Sequence, residues 1–371
     1  MIRGKKNTLT ALLAMILLCT SLCGCNDKVS FTDVSDSYIK TMDYHDNFVI
    51  LQLTDIHWNN ATIIGNDYVG SKAYLKMVID ATQEKFGQID LIEITGDTFC
   101  LTNTLAVNSF LDTMEEIGIP YAMTWGNHDR QSKYNPNWFS KKIASAPYSL
   151  YTEVDNDDVH GRSNYVIDLV KDGKTVWQVF NIDSSSSYRE GATDIGLEYD
   201  YVRQDQIDWF DHMHKREGND IPVLCYYHIP QKEFVEAYDA IMAGDQNYKT
   251  KFFKMEGISN SPYAVSLNPV FKDNNVKGVF IGHDHASDWT FTNPDGIVYG
   301  YGVKTTAELY SVRATEEYTE PDRLLNGEFD TELDLNGATV VNILNTAGDF
   351  DLYHLYLSDK EETPVEMWEE Y

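Results

Sequence analysis

The chain has 371 residues, 43% hydrophobic and 13% aromatic, enough apolar side chains for one large packed core and too many for a disordered chain. Its 29 Lys and Arg against 58 Asp and Glu leave a formal charge of -29, which argues against a polyanion-binding surface and so against nucleic acid as a partner. A small phosphorylated substrate stays open, because bound cations dominate the field inside a pocket.

In chain order, Arg3, Lys5 and Lys6 precede an apolar stretch over 9–22 that is too short for a comfortable membrane span, and residues 1–24 read as an export signal. The stretch ends in Leu22-Cys23-Gly24-Cys25, which resembles the bacterial lipobox, whose last cysteine is lipidated and becomes the mature N-terminus. Cys25 is then the membrane anchor of an extracytoplasmic lipoprotein; a plain cleaved signal is the alternative. Cys19 and Cys23 leave with the signal, and Cys100 and Cys225 alone make no disulfide framework. Residues 25–46 are polar without an apolar period and read as a tether.

From residue 47 to 357 short β-rich runs alternate with amphipathic stretches, an α/β pattern. Nearly continuous apolar runs at 48–53, 90–95, 119–125, 176–182, 222–227 and 276–281 read as central strands. Helices are predicted over 71–86, over 104–117 with Gly118 as its stop, over 205–216 and over 232–242. Further strands are expected at 297–302, 338–344 and 352–357, and 358–371 is an acidic peripheral tail. The loops 130–165, 184–203 and 243–275 carry no readable motif; the last is expected to line one side of a site.

In open α/β sheets, ligands collect at the carboxyl ends of strands. Here those ends carry Asp55-Ile56-His57, then Gly96-Asp97, then Gly126-Asn127-His128-Asp129, then His228, then Gly282-His283-Asp284-His285, which hold five of the ten histidines. Singly, a histidine in such a place is more often a hydrogen-bonded loop residue, and an aspartate a helix cap. Together they form a set suited to two divalent ions sharing one carboxylate.

These five blocks resemble the pattern of the calcineurin-like metallophosphoesterase superfamily: DxH, GD, GNH(D/E), H and GHxH in that order. The resemblance spans 55–285 and implies two mixed β-sheets in a sandwich flanked by helices. It assigns Asp55, His57, Asp97 and His285 to one metal and Asp97, Asn127, His228 and His283 to the other, with Asp97 bridging and a shared hydroxide as nucleophile on a phosphate ester. His128 would protonate the leaving oxygen, and Asp129 would orient His128 by a hydrogen bond. The glycine of GHDH would let the chain turn so that His283 and His285 reach neighbouring ions, with Asp284 pointing away.

Purple acid phosphatases have a tyrosine three residues after the GD aspartate; here that position is Cys100. "HIP" at 228–230, "GHDH", "YDYVRQDQIDWF" at 199–210 and "YGYG" at 299–302 are similar to a branch that includes the yeast dosage-dependent cell-cycle regulator phosphatase. Trp125 and Tyr226 are read as core; Trp58, Tyr188, Tyr227 and Trp289 either stack on substrate or fill the core. Ser184 to Ser187 read as a polar loop.

The expectation is therefore an exported dinuclear-metal phosphoesterase, first of all a phosphomonoesterase. A phosphodiesterase on the same scaffold and a noncatalytic metal- or ligand-binding surface lipoprotein are the alternatives. The ions are Fe, Mn, Zn or Co, since His, Asp and Asn accept all four.

Overall fold

The computed structural model describes residues 39–58, 67–152, 159–187, 198–251, 256–306, 335–358 and 366–371. The export signal, Cys25 and Tyr188 lie outside the described residues.

Two mixed sheets carry the fold. In the six-stranded sheet, β2 (Phe48–Leu53), β3 (Leu91–Thr95) and β4 (Tyr121–Thr124) run parallel, joined by α1 (Asp67–Phe86) and α2 (Thr104–Ile117). Parallel neighbours need such crossovers, because a tight turn can join only antiparallel strands. The chain's last strands, β12 (Leu335–Ile343), β13 (Phe350–Ser358) and β14 (Glu366–Glu370), extend this sheet beyond β2, giving the order β14-β13-β12-β2-β3-β4.

The eight-stranded sheet is built from β1 (Ile39–Asp43), β5 (Tyr165–Lys171), β6 (Lys174–Asn181), β7 (Val223–Tyr226), β8 (Lys249–Lys251), β9 (Val276–Ile281), β10 (Thr290–Thr292) and β11 (Val298–Tyr301), in the order β1-β5-β6-β7-β9-β11-β10-β8. Its alternating side chains feed two cores. Ile167, Val179, Leu224 and Tyr226 join the core shared with β2 to β4, while Val166, Phe180, Cys225 and Tyr227 join a second core. That second core also takes Phe210 from α4 (Gln204–Lys215), Phe234 from α5 (Lys232–Met242) and Phe271 from α6 (Asn268–Asp273).

Every residue of β2 is buried, which explains its unbroken apolar run. The one polar member, Gln52, is used as a tie: its Nε2 donates to Thr95 Oγ1 on β3 and to the Ile281 carbonyl on β9, each at 2.9 Å, linking the two sheets. α2 starts at Asn103, whose side chain accepts from Leu105 N, and stops at Gly118 with φ 71°, the start and stop the sequence announces.

Three expectations need correction. Residues 39–43 are not tether: β1 pairs in parallel with β5, so the domain begins earlier than residue 47. The tail is not merely peripheral acid, since β14 pairs with β13 and the Tyr371 hydroxyl lies 2.7 Å from Thr292 Oγ1 of the other sheet. Only Ile39 of β1 is fully buried, and edge strands of this kind show no apolar run to read. Finally, the stretch 130–165 holds α3 (Pro136–Ala144), announced by Asn135 as cap and Pro136 in the first turn.

Candidate metal centre

Five loops leave the C-terminal ends of β2, β3 and β4 in one sheet and of β7 and β9 in the other, and converge where the two sheets meet. The first two are stitched side by side: Asp55 N donates to Gly96 O (3.2 Å), His57 N to Asp97 O (2.9 Å) and Trp58 N to Thr98 O (2.7 Å). Asp55, His57, Asp97 and His283 all hold left-handed backbone, with φ of 51°, 51°, 49° and 83°. That conformation costs a non-glycine residue roughly 1–2 kcal/mol, so the surrounding bonds must impose it.

Glycines make the room. A Cβ on Gly126 would stand 2.1 Å from Asp97 Oδ1, and one on Gly282 would stand 2.1 Å from Thr54 Oγ1 and 2.8 Å from Asp55 Oδ2. Gly282 therefore serves close approach rather than the turn itself; the left-handed turn falls on His283.

The buried side chains of Asp55, His57, Asp97 and His285 bring one ligating atom each within 4.8 Å of one another, and Asp97, His228 and His283 do the same. Within the first group His57 Nε2 and His285 Nε2 are 3.0 Å apart, and His285 Nε2 is 3.4 Å from Asp55 Oδ1. In the second, His228 Nε2 is 3.3 Å from Asp97 Oδ2, 3.1 Å from Asn127 Oδ1 and 3.3 Å from His283 Nδ1. Ligands roughly 2.0–2.2 Å from one cation stand about 3.0–3.5 Å from each other, so these separations fit an ion at the centre of each group. Asp55 Oδ1 and Asp97 Oδ2 are buried and face the imidazoles of His285 and His228, a set of acceptor atoms turned inward that fits a cation.

His228 Nδ1 lies 2.8 Å from the Thr95 carbonyl, which can only accept, so Nδ1 carries the proton and Nε2 faces the site. Burial resists charge on His228, but Asp97 overrides it and lifts the imidazole to about 10. Burial also resists charge on Asp55 and Asp97, yet the neighbouring His285 and His228 hold the two carboxyls well below the usual carboxylate range. Burial, helped by His228, lowers His283 to about 3, and burial drives His57 well below its ordinary value. Neutral imidazoles and ionised carboxylates are the forms that bind cations, so Asp55, Asp97, His57 and His283 are held in the binding form, whereas His228 must yield its Nε2 proton to a cation.

His128 sits at the rim, its side chain 30% exposed, with Nε2 3.9 Å from Asp97 Oδ2 and its ring 5.3 Å from that of His57. Its backbone N donates to Asp97 Oδ1 (2.8 Å). The partner that orients the imidazole is Gln131, whose Oε1 lies 2.8 Å from Nδ1; Cys100 Sγ adds a contact at 3.6 Å. Asp129 does not orient His128, contrary to expectation. Its carboxylate accepts from Phe99 N (2.9 Å) and Gly126 N (2.8 Å), pinning the second loop to the third. Burial and the nearby Asp97 raise it to about 7. Asp284 points away as expected, accepting from the Tyr301 hydroxyl (2.7 Å) and Ser259 N (3.2 Å).

Of the aromatic candidates, Trp58, Trp125, Tyr226, Tyr227 and Trp289 are all fully buried and fill the core. The ring that reaches the centre is Tyr199, 4.5 Å from that of His283, on a loop whose sequence shows no period. Ser184 is also more than loop polarity: its Oγ accepts from His228 N (3.3 Å) and Ile229 N (2.9 Å), fixing the strand end that delivers His228. Asp183 beside it accepts from Arg130 Nη2, Arg162 N and Ser185 N, tying three loops together.

The site can thus hold two cations, with Asp97 common to both. Comparison with known proteins gives the family and the fold. The chain is 28% identical over 285 residues to a protein of Arabidopsis thaliana called probable inactive purple acid phosphatase 29, covering 65% of this chain and 68% of that one. It is 24% identical over 332 residues to phosphatase DCR2 of Saccharomyces cerevisiae, covering 78% of this chain and 56% of that one. A dimetal phosphatase from Danio rerio shares the fold with a TM-score of 0.52 at 12% identity, covering 88% of this chain and 100% of that one. The model of the calcineurin-like phosphoesterase family matches residues 48–287, and the chain belongs to that family.

Proposed function

We propose that the protein is an exported, Cys25-anchored phosphoesterase that uses two cations to hydrolyse phosphate monoesters. Two bound cations would supply Lewis acidity and an activated water. Asp55, His57, Asp97 and His285 would hold one, and Asp97, Asn127, His228 and His283 the other. The chain's own contribution is to fix these ligands from two sheets and to aim His128 at the departing oxygen. Gln131 on Nδ1 leaves Nε2 as the atom that delivers the proton.

The observation that carries the reading is His128 itself. A site that only stored or sensed metal needs no oriented, part-exposed imidazole beside the shared carboxylate. The noncatalytic reading draws on the word inactive in the name of the Arabidopsis relative.

Turnover of p-nitrophenyl phosphate and bis-p-nitrophenyl phosphate by the purified protein, loaded in turn with Mn, Zn and Fe, separates the cases. Metal-dependent monoester turnover lost in His128→Ala supports the proposal. Preference for the diester replaces it with a phosphodiesterase, and two bound metals with no turnover of either ester favour the noncatalytic reading.

A further inference from the structure

Among the described residues, Leu101, Leu105, Tyr199, Met242, Tyr263 and Val265 are the large apolar or aromatic side chains left exposed. Two of them are tied to the metal centre: Tyr199 touches His283, and Leu101 follows Cys100, which touches His128.

Tyr199 stands edge to face with the ligand His283, the ring planes at 88°, while 37% of the residue remains open to solvent. Its backbone is fixed. Tyr199 forms an antiparallel bridge with Ser187, Asp200 N donates to Ser186 O (3.3 Å), and Asp200 Oδ1 accepts from Nε and Nη2 of Arg203 (3.1 and 2.7 Å). A ring held against a ligand on one side and open on the other presents a surface to whatever binds at the cations.

Leu101 follows Cys100, the residue in contact with His128 Nδ1. Its φ of 50° is left-handed, yet its side chain is 66% exposed, so the strained backbone buries nothing. The strain is imposed from the loop that carries His128: Thr102 N donates to Ser132 Oγ (3.2 Å) and Lys133 N to Thr102 O (2.9 Å). An apolar side chain turned to solvent one residue from Cys100, itself in contact with His128, has its return in a ligand contact.

We propose that Leu101 and Tyr199 form an apolar subsite for the organic part of the phosphate ester, selecting aryl or bulky apolar alcohols over small polar ones. This rests on the phosphoesterase reading above. Removing apolar area from water stabilises by about 25 cal/mol per Å², so an aryl group seated there gains affinity that a methyl group does not.

The test is calorimetric binding of phenylphosphonate, methylphosphonate and inorganic phosphate to the metal-loaded full-length protein, alongside Leu101→Asn and Tyr199→Ala. Asparagine tolerates left-handed backbone, so the Leu101 variant keeps its loop. The wild type is expected to bind phenylphosphonate about tenfold more tightly than methylphosphonate, and each substitution to lower that ratio about fivefold, as the loss of a few buried carbons does. The KM ratio of phenyl to methyl phosphate should move the same way. An unchanged ratio in both variants, or equal affinity for the two phosphonates in the wild type, overturns the subsite while phosphate binding leaves the phosphoesterase reading standing. A metal-loaded wild type that binds no inorganic phosphate sinks that reading, and the subsite with it.

Discussion

The orientation of His128 depends on a neutral amide three residues along. Asp129 looked the better partner in sequence because it is adjacent and charged, but residues 129–131 form a 3-10 turn, and that turn sets Gln131 over the imidazole three positions back. His128→Ala should lower turnover about 100- to 10 000-fold, most for poor leaving groups, with both metals retained by elemental analysis. Gln131→Ala should show the same leaving-group dependence with a smaller loss, about tenfold. Asp129→Asn should lower the melting temperature without changing that dependence, because its work is to hold Phe99 N and Gly126 N. Gly282→Ala is expected to abolish metal binding, since its methyl would overlap Thr54 Oγ1; isothermal titration with Mn or Zn reads this directly. The seven residues proposed as ligands were legible as candidates because each follows an apolar run in a short, repeated grammar of Gly, His and Asp. Tyr199 reads only as the first residue of the 199–210 stretch; its contact with His283 is made across 84 positions of chain, which no local pattern records.

At the level of single strands, β3 conceals an acid. Glu93 faces into the sandwich, where Asn181 Nδ2 of β6 donates to Oε1 at 3.3 Å, and burial pushes its carboxyl up to about 8 against the opposing effect of that bond. A carboxyl whose folded pKa is raised binds more protons folded than unfolded, so its contribution is fully present below about 4.5 and is lost as pH rises through about 8. Glu93→Gln keeps a neutral group in place. Its stability relative to wild type should rise by on the order of a few kcal/mol between pH 5 and pH 8, read from denaturant midpoints at each pH. A constant difference across that range would contradict a neutral Glu93. The strands themselves were readable where both faces are buried, as in β2, β3, β7 and β9. β1 and β14 escaped because an edge strand needs few apolar residues, and the placing of β12 beside β2 is a pairing across almost 300 residues that no local signal records.

Across the whole molecule, each cation would draw ligands from both sheets: Asp55, His57, Asp97 and Asn127 from the ends of β2 to β4, His228, His283 and His285 from those of β7 and β9. Loading should therefore stabilise the native state as a whole, by about 2.7 kcal/mol per site at a hundredfold excess of ion over Kd, and a chelator should lower the melting temperature accordingly in scanning calorimetry. A transition indifferent to chelator would dissociate the ions from the junction of the sheets. The division of ligands also fixes a schedule. No complete ligand set exists until His283 and His285 have joined residues that left the ribosome more than 150 positions earlier, so an unfolded chain in transit carries neither completed ion site. On the proposal of export, the metals would be chosen by the compartment in which folding ends, and the same sequence folded where different ions prevail would load different metals.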